Sequence, residues 1–221
     1  MSTGTERLRR VVRARRRVAT AAPSMLALAL ALALCAGPAR AQDPALPGVR
    51  VGDRWAFVEY YAVPSTVPNR HWVITSVSPA GIEGTENGEP LRLTRELNVL
   101  DSPRATFSNP RALAFPLRVG KRWRYESDWT FKPKASRGRT FVDVAVVGRE
   151  EVSVPAGAFD AFKLVAKGSL HGTSPINSQY AGETVETYWY APAARAVVKS
   201  VRHNPYLGTS TVELIEHRLQ P

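Results

Sequence analysis

The sequence contains a single cysteine, Cys35, which lies within the first 41 positions of the 221-residue chain. Everything after residue 41 is free of thiols. That part of the chain therefore has no disulfide scaffold, cysteine nucleophile or thiolate metal site. A chain of this length can bury a core without such cross-links. The missing thiols also fit an oxidising compartment.

Helical periodicity is nearly absent after the same point. The 17 prolines and 15 glycines of the chain are spread along its length. They separate short windows rich in Val, Thr, Trp, Tyr and Phe, which is typical of β-strands. We therefore predict an all-β protein whose only long helix would be the leader.

Motifs of known reaction chemistry are also missing. The sequence has no G-x-S-x-G elbow, no phosphate-binding P-loop and no G-x-G-x-x-G dinucleotide motif. Its histidines lie in four different segments without the spacing of metal ligands, at His71, His171, His203 and His217. We predict no catalytic residue, no metal and no cofactor, and we expect that the protein is not an enzyme.

The first 41 residues have the layout of a secretory signal peptide. Seven arginines precede an apolar Ala/Leu run, Met25–Leu34, and the small-residue motif Ala39-Arg40-Ala41 follows it. We predict a signal peptide over residues 1–41 that is cleaved before Gln42. The mature protein would then be periplasmic or secreted in a bacterium, without a membrane-spanning segment.

Two alternatives remain open for the leader. The wider window Val18–Gly37 could stay as a membrane anchor, although Pro23 and Ser24 dilute its apolar character. Cys35 could instead carry a lipid, but Leu34 occupies a position at which such signals have a small residue.

The net charge of +11 does not point to a nucleic-acid partner. More than half of it comes from the leader, where eight arginines accompany one acid, Glu6. The basic cluster between Lys132 and Arg139 has no interleaved aromatic residues, and no nucleic-acid-binding motif accompanies it. We expect no nucleic-acid partner.

The clearest strand is Arg122–Lys132, in which residue type alternates at every position. This pattern indicates one buried and one solvated face of an antiparallel sheet. Asn87-Gly88 predicts a tight hairpin, because both positions tolerate a positive φ. The predicted inward face of the clearest strand consists of Trp123, Tyr125, Ser127, Trp129 and Phe131.

These features predict a single all-β domain over residues 42–221. We expect an antiparallel meander of about nine to eleven strands that forms a sandwich or a partly open barrel. The hexapeptides Arg50–Trp55 and Arg118–Trp123 differ only at their fourth residue. Each is predicted to be a glycine turn that leads to an inward tryptophan. The match raises the alternative of two repeated halves, 50–112 and 118–221.

One strand carries the best candidates for ligand-binding side chains. Alternation puts Glu186, Tyr188 and Tyr190 on one face and Val185 and Trp189 on the other. If the first face lines a cavity, a carboxylate accompanied by two phenols could orient a polar ligand. The alternative is that Trp189 points into the core and the Glu/Tyr face lies outside.

Two segments carry a family resemblance, Glu151–Lys163 with its V-P-A-G-A-F turn and Glu186–Pro192, which reads E-T-Y-W-Y-A-P. With Val119–Trp123, they resemble a group of secreted or lipid-anchored bacterial β-proteins of unknown function. That group shares a V-P-A-G-x-F-x-x-x-K turn and a W-Y-A-P turn. The resemblance covers residues 117–199 and implies no catalytic residue.

Export, aromatic strand faces and the lack of reaction motifs predict a non-enzymatic protein of the cell envelope. We expect it to bind an apolar or amphipathic ligand on a concave aromatic face, with a lipid or an envelope protein as its partner. Two alternatives are a structural or assembly module of the envelope and a secreted hydrolase.

Overall fold

The computed structural model describes residues 46–61, 69–176, 179–204 and 208–221, all within the unit Gln42–Pro221. These residues form twelve β-strands and two short 3-10 turns, Lys132–Lys134 and Pro192–Ala194. The strands are β1 (Arg54–Tyr61), β2 (Arg70–Ser78), β3 (Gly81–Glu86), β4 (Glu89–Leu93), β5 (Val99–Asp101), β6 (Ala105–Phe107), β7 (Arg122–Phe131), β8 (Ser136–Val154), β9 (Gly157–Thr173), β10 (Tyr180–Ala191), β11 (Ala196–Asn204) and β12 (Gly208–Arg218).

Each strand pairs antiparallel with its neighbours in sequence, and β12 pairs with β1 to close a barrel. The all-β class and the antiparallel arrangement are confirmed. The expected nine to eleven strands in a sandwich or partly open barrel are corrected to twelve strands in a closed barrel. Strands β5 and β6 have three residues each, too few for alternation to be visible in a sequence. The β1–β12 pairing joins distant segments, which local patterns do not report.

Two local predictions are confirmed in detail. On β7, Ser127 is buried on the inward face, whereas Arg124 and Asp128 point outward and pair with acidic and basic residues of β8. Between β3 and β4, Asn87 has a φ of 54° and Gly88 a φ of 88°, as a two-residue hairpin turn requires.

The repeated hexapeptides form the same turn twice. Gly52 and Gly120 have φ values of 90° and 89°, a region that favours glycine. Each glycine amide donates to a carbonyl of the next strand, Gly52 to Ile74 and Gly120 to Val146, both at 2.8 Å. The predicted turn is therefore present in both copies, while a duplication of whole halves stays a prediction.

Apolar side chains fill one end of the barrel, which we call the base: the end at which β1 begins and β12 finishes. The loop over residues 108–121 adds Leu113 and Leu117 to this packing. The β8–β9 hairpin folds across the base, where the amide of Ala156 donates to the carbonyl of Leu214 at 3.1 Å. Large buried side chains of the base include Trp55, Phe57, Ile74, Leu91, Leu93, Phe162, Leu164, Tyr190 and Leu214.

A buried carboxylate joins the segments before the first strand and after the last strand at the base. Asp53 is 0% exposed and accepts hydrogen bonds from the backbone amides of Arg50 at 2.9 Å and Gln220 at 2.7 Å. Nη1 of Arg195 lies 3.2 Å from the same carboxylate. Asp53 therefore joins the turn before β1, the segment after β12 and the turn between β10 and β11.

We expect Asp53→Ala to lower the free energy of unfolding by roughly 3 kcal/mol, because it leaves buried donors and a guanidinium without their acceptor. Urea unfolding followed by circular dichroism measures this loss. Asp143→Ala is the matched control, since its ion pair with Arg124 is exposed, at 64% and 76% of the two side chains, and should matter little. Equal losses in the two variants would contradict the role given to Asp53.

Candidate functional site

The barrel interior changes character from the base to the opposite end, at which β1, β9 and β11 finish. Inward side chains are apolar and excluded from water at the base, but polar and partly exposed at the opposite end. We call this second half of the interior the cup. Its inward side chains include Glu59, Tyr61, Arg70, Trp72, Glu86, Tyr125, Trp129, Tyr180, Glu186, Tyr188, Ser200 and Arg202.

Strand β11 follows this change along its inward face. Val198 is 0% exposed, Ser200 is half-buried, and the side chain of Arg202 is 54% exposed. Successive inward residues of a strand lie about 7 Å apart. The exposure of the inward side chains therefore rises over two successive inward positions, from Val198 to Arg202. The interior is accessible to water as far as Ser200.

The best-defined ion pair of the cup joins β10 and β11. Glu186 and Arg202 lie directly opposite each other, and Arg202 donates from Nε at 2.8 Å and from Nη2 at 3.1 Å to the two carboxylate oxygens. The charge of Glu186 raises the pKa of Arg202. This bidentate geometry holds both oxygens of the carboxylate.

Two phenols lie close to this ion pair. Burial raises the pKa of Tyr125 to about 12, and it also raises the pKa of Tyr188 well above its ordinary value. The negative charge of Glu186 acts in the same direction on both groups. At neutral pH both phenols are therefore protonated and present hydrogen-bond donors rather than charges.

A second ion pair connects β1 with the β5–β6 loop. Arg104 Nη1 lies 2.6 Å from Glu59, and the hydroxyl of Tyr61 donates to the same carboxylate at 2.8 Å. Burial alone would raise the pKa of Glu59. The hydrogen bonds from Arg104 and Tyr61, together with the positive charges of Arg104 and Arg70, outweigh burial, so this pKa lies below its ordinary value. Glu59 is consequently ionised at neutral pH.

Aromatic rings cover part of the cup wall. Trp129 and Tyr180 are in contact, with ring centroids 6.3 Å apart. A Cβ atom on Gly138 would lie 2.7 Å from the Trp129 ring, and one on Gly172 would lie 2.8 Å from the Tyr180 ring. Because glycine stands at both positions, the two rings lie against the strands instead of projecting across the cup.

The structure brings two of the three predicted ligand-binding residues to the cup. Glu186 and Tyr188 line it, whereas Tyr190 is 1% exposed at the base and packs edge-to-face on Phe115, with centroids 5.0 Å apart. Alternation predicts a shared face but not the height of each residue along the barrel. Whether Glu186 and Tyr188 contact a ligand stays a prediction.

Trp189 lies on the face opposite to these residues. Its indole donates to Glu150 at 2.8 Å, and the Lys163 ammonium lies 5.4 Å from the ring centroid. Trp189 also packs partly against the apolar cluster of the base. The alternative is wrong in placing the Glu/Tyr face outside, because Tyr190 on that face is 1% exposed.

Sequence reasoning missed most of the charged side chains of the cup. Glu59, Arg70, Glu86, Arg104 and Arg202 come from five separate segments, and their convergence depends on the closed sheet. The available signal was short-range alternation on β2. There an arginine shares its inward face with Trp72 and Ile74.

The histidines do not assemble into a reactive group in the cup. His71, His171 and His203 occupy outward positions, and His217 packs against Phe159 at the base. In the described ranges, no three His, Cys, Asp or Glu side chains are grouped so that they could hold a metal ion. The same residues include no helix that is long and apolar enough to cross a membrane.

Two concavities of about 560 and 670 Å³ indent the outer face of β8, β9 and β10. The first contains the ion pair between Arg124 and Asp143, beside the exposed ring of Phe141. Its charged groups already pair with each other on an open surface. The cup, in which charged and aromatic groups from several strands face one space, is the stronger candidate for a binding site.

The fold of this chain is similar to that of solved bacterial proteins. No protein-family model matches the sequence, and no curated protein matches it. Among solved structures, a candidate lipoprotein from Parabacteroides distasonis is 17% identical, with a TM-score of 0.53, over 80% of this chain and 100% of that one. At this identity the similarity shows a shared fold.

Two further solved structures are similar to this chain. A candidate exported protein with a YmcC-like fold from Bacteroides fragilis is 17% identical, with a TM-score of 0.49, over 77% of this chain and 97% of that one. The hypothetical lipoprotein YmcC from Escherichia coli is 14% identical, with a TM-score of 0.44, over 89% of this chain and 97% of that one.

The raised pKa of Tyr125 predicts a late phase in an absorbance titration of the tyrosines at 295 nm. We expect Tyr125→Phe to remove amplitude only from the phase that titrates near pH 12. A pKa raised by folding gives stability that is present below about pH 10 and is lost as the pH rises through the folded value. Loss of amplitude from the phase near pH 10 instead would show that Tyr125 is freely hydrated.

Proposed function

We propose that the protein is an exported, non-enzymatic component of the bacterial envelope that binds an amphipathic ligand in the cup. The observation that carries this proposal is the gradient inside the barrel, from packed apolar side chains to water-accessible charged and aromatic groups. A barrel filled along its whole length would leave no room for a ligand. The leader supports export, and a similar fold occurs in a candidate lipoprotein.

The composition of the cup favours an amphipathic ligand over a purely apolar one. An apolar molecule that displaced the cup water would remove hydration from Glu186, Arg202 and the other charged groups, and this costs free energy unless new hydrogen bonds form. A polar headgroup can supply those bonds. The rings of Trp129 and Tyr180 offer apolar contact area for the remainder of the ligand.

The bonding of the carboxylates supports a binding function rather than catalysis. Glu59 accepts from Arg104, Glu186 from Arg202, and Glu86 from the indole of Trp72 at 2.8 Å. A general acid or base needs a pKa near the working pH and access to a substrate proton. For Glu59, the hydrogen bonds from Arg104 and Tyr61 favour the ionised form instead.

Displacement of the uncharged fluorophore N-phenyl-1-naphthylamine by dodecyl maltoside tests ligand binding in the cup. We expect the purified protein to bind both compounds. Ser200→Trp should weaken the affinity for both by roughly an order of magnitude, because the new ring occupies the cup. Val201→Trp is the matched control, since the neighbouring side chain points out of the barrel. Circular dichroism and thermal unfolding confirm that both variants fold.

The proposal is wrong if the folded wild type binds neither compound. It is also wrong if Ser200→Trp and Val201→Trp bind both compounds equally well, because binding would then take place outside the cup.

A further inference from the structure

Arg70 differs from every other charged group of the cup. In the described part of the chain, its Nε is the one buried side-chain nitrogen or oxygen without a hydrogen-bond partner. Its guanidinium makes no hydrogen bond and no ion pair with a described residue. The terminal nitrogens lack protein partners as well but are not enclosed, so they face the water of the cup.

The carboxylates nearest to Arg70 are already bound to other donors. Glu59 accepts from Arg104 at 2.6 Å and from Tyr61 at 2.8 Å, while Glu86 accepts from Trp72 at 2.8 Å. Both carboxylates act on Arg70 through space but leave its donors unused. Ion pairing inside a protein normally satisfies a guanidinium, so this arrangement calls for another acceptor.

Arg70 lies beside an aromatic ring and among other charged groups. The guanidinium lies 5.9 Å from the centroid of the Phe57 ring, on the strand paired with its own. Burial lowers the pKa of Arg70, and the negative charges of Glu59 and Glu86 act against this more strongly than the positive charges of Arg104 and Arg202 add to it. An arginine stays charged at neutral pH in spite of such shifts. A negative group at Arg70 would therefore give this charged guanidinium the hydrogen-bond acceptor that Glu59 and Glu86 do not supply.

We propose that Arg70 binds the anionic headgroup, a phosphate or a carboxylate, of the amphipathic ligand held in the cup. This inference rests on the function proposed above and adds the charge class of the ligand. The planar fork of a guanidinium matches the spacing of two oxygens on such a group, which gives two parallel hydrogen bonds. Arg104 and Arg202 keep their partners Glu59 and Glu186.

A comparison of two amphiphiles with the same chain tests the headgroup assignment. Dodecyl phosphate and dodecyl maltoside, each below its critical micelle concentration, compete with N-phenyl-1-naphthylamine for the purified protein. We expect the wild type to prefer dodecyl phosphate. We expect Arg70→Gln to weaken the binding of dodecyl phosphate by roughly tenfold or more, because a charge-assisted hydrogen-bonded pair is lost. The affinity for dodecyl maltoside should not change.

Two further variants complete the test. Arg137→Gln is the matched control, because it removes the same charge from an exposed outward position at the same end of the barrel and should change neither affinity. Arg70→Lys keeps the charge without the fork and should give an intermediate loss for dodecyl phosphate alone. Thermal unfolding confirms that each variant is folded. If Arg70→Gln does not fold, Arg70→Lys carries the comparison.

The outcomes separate the two proposals. If neither amphiphile binds the wild type, the ligand-binding function is wrong, and the headgroup assignment is wrong with it. If both bind equally and the Arg70 variants match Arg137→Gln, only the headgroup assignment is wrong. Inorganic phosphate distinguishes a lipid headgroup from a free anion. We expect inorganic phosphate to compete only weakly with dodecyl phosphate. If it binds as tightly as dodecyl phosphate does, the ligand of Arg70 is a free anion and not an amphiphile.

Discussion

The pairing of β1 with β12 removes the free edges of the meander and fixes which side chains face inward. Once the sheet is closed, every strand contributes each second residue to one enclosed space, which side chains or water must fill. Register shifts occur at Ala56/Phe57 on β1 and at Trp189/Tyr190 on β10, close to the packed base. Such irregularities increase local twist, which helps the strands close over the core.

Water access explains how the cup can hold so many charged groups. Burying an ion pair in a dry interior costs more than its attraction returns unless all of its hydrogen bonds are satisfied. The pair Glu186–Arg202 meets this condition through two hydrogen bonds and through contact of Arg202 with water. The hydrogen bonds of Arg70 are not satisfied in this way. A ligand would therefore gain the most binding free energy from hydrogen bonds to Arg70.

Much of the fold could be predicted from local sequence. The alternation on β7, the hairpin at Asn87-Gly88 and the repeated glycine turns all follow from the side chains or backbone angles of a few consecutive residues. Closure could not be predicted in this way, because it depends on pairing between segments far apart in the chain. Strands of three residues, such as Val99–Asp101, carry no period of their own.

The candidate site was only partly predictable for the same physical reason. Alternation gave the shared face of Glu186 and Tyr188, but it also included Tyr190, because a period of two contains no information about height along the barrel. Arg70 could not be assigned from its neighbours in sequence. Its missing partner becomes visible only when Glu59 and Glu86 are seen to bind other donors.

The structure implies that the barrel interior is accessible to water from the cup and closed at the base. Single-cysteine variants test it directly, because replacing Cys35 by serine leaves a chain without thiols. We expect Ser200→Cys in the cup to react with a small water-soluble methanethiosulfonate reagent and to be protected by dodecyl phosphate, while Val198→Cys at the base stays unreactive. Equal resistance of the two positions in the folded protein would contradict the account.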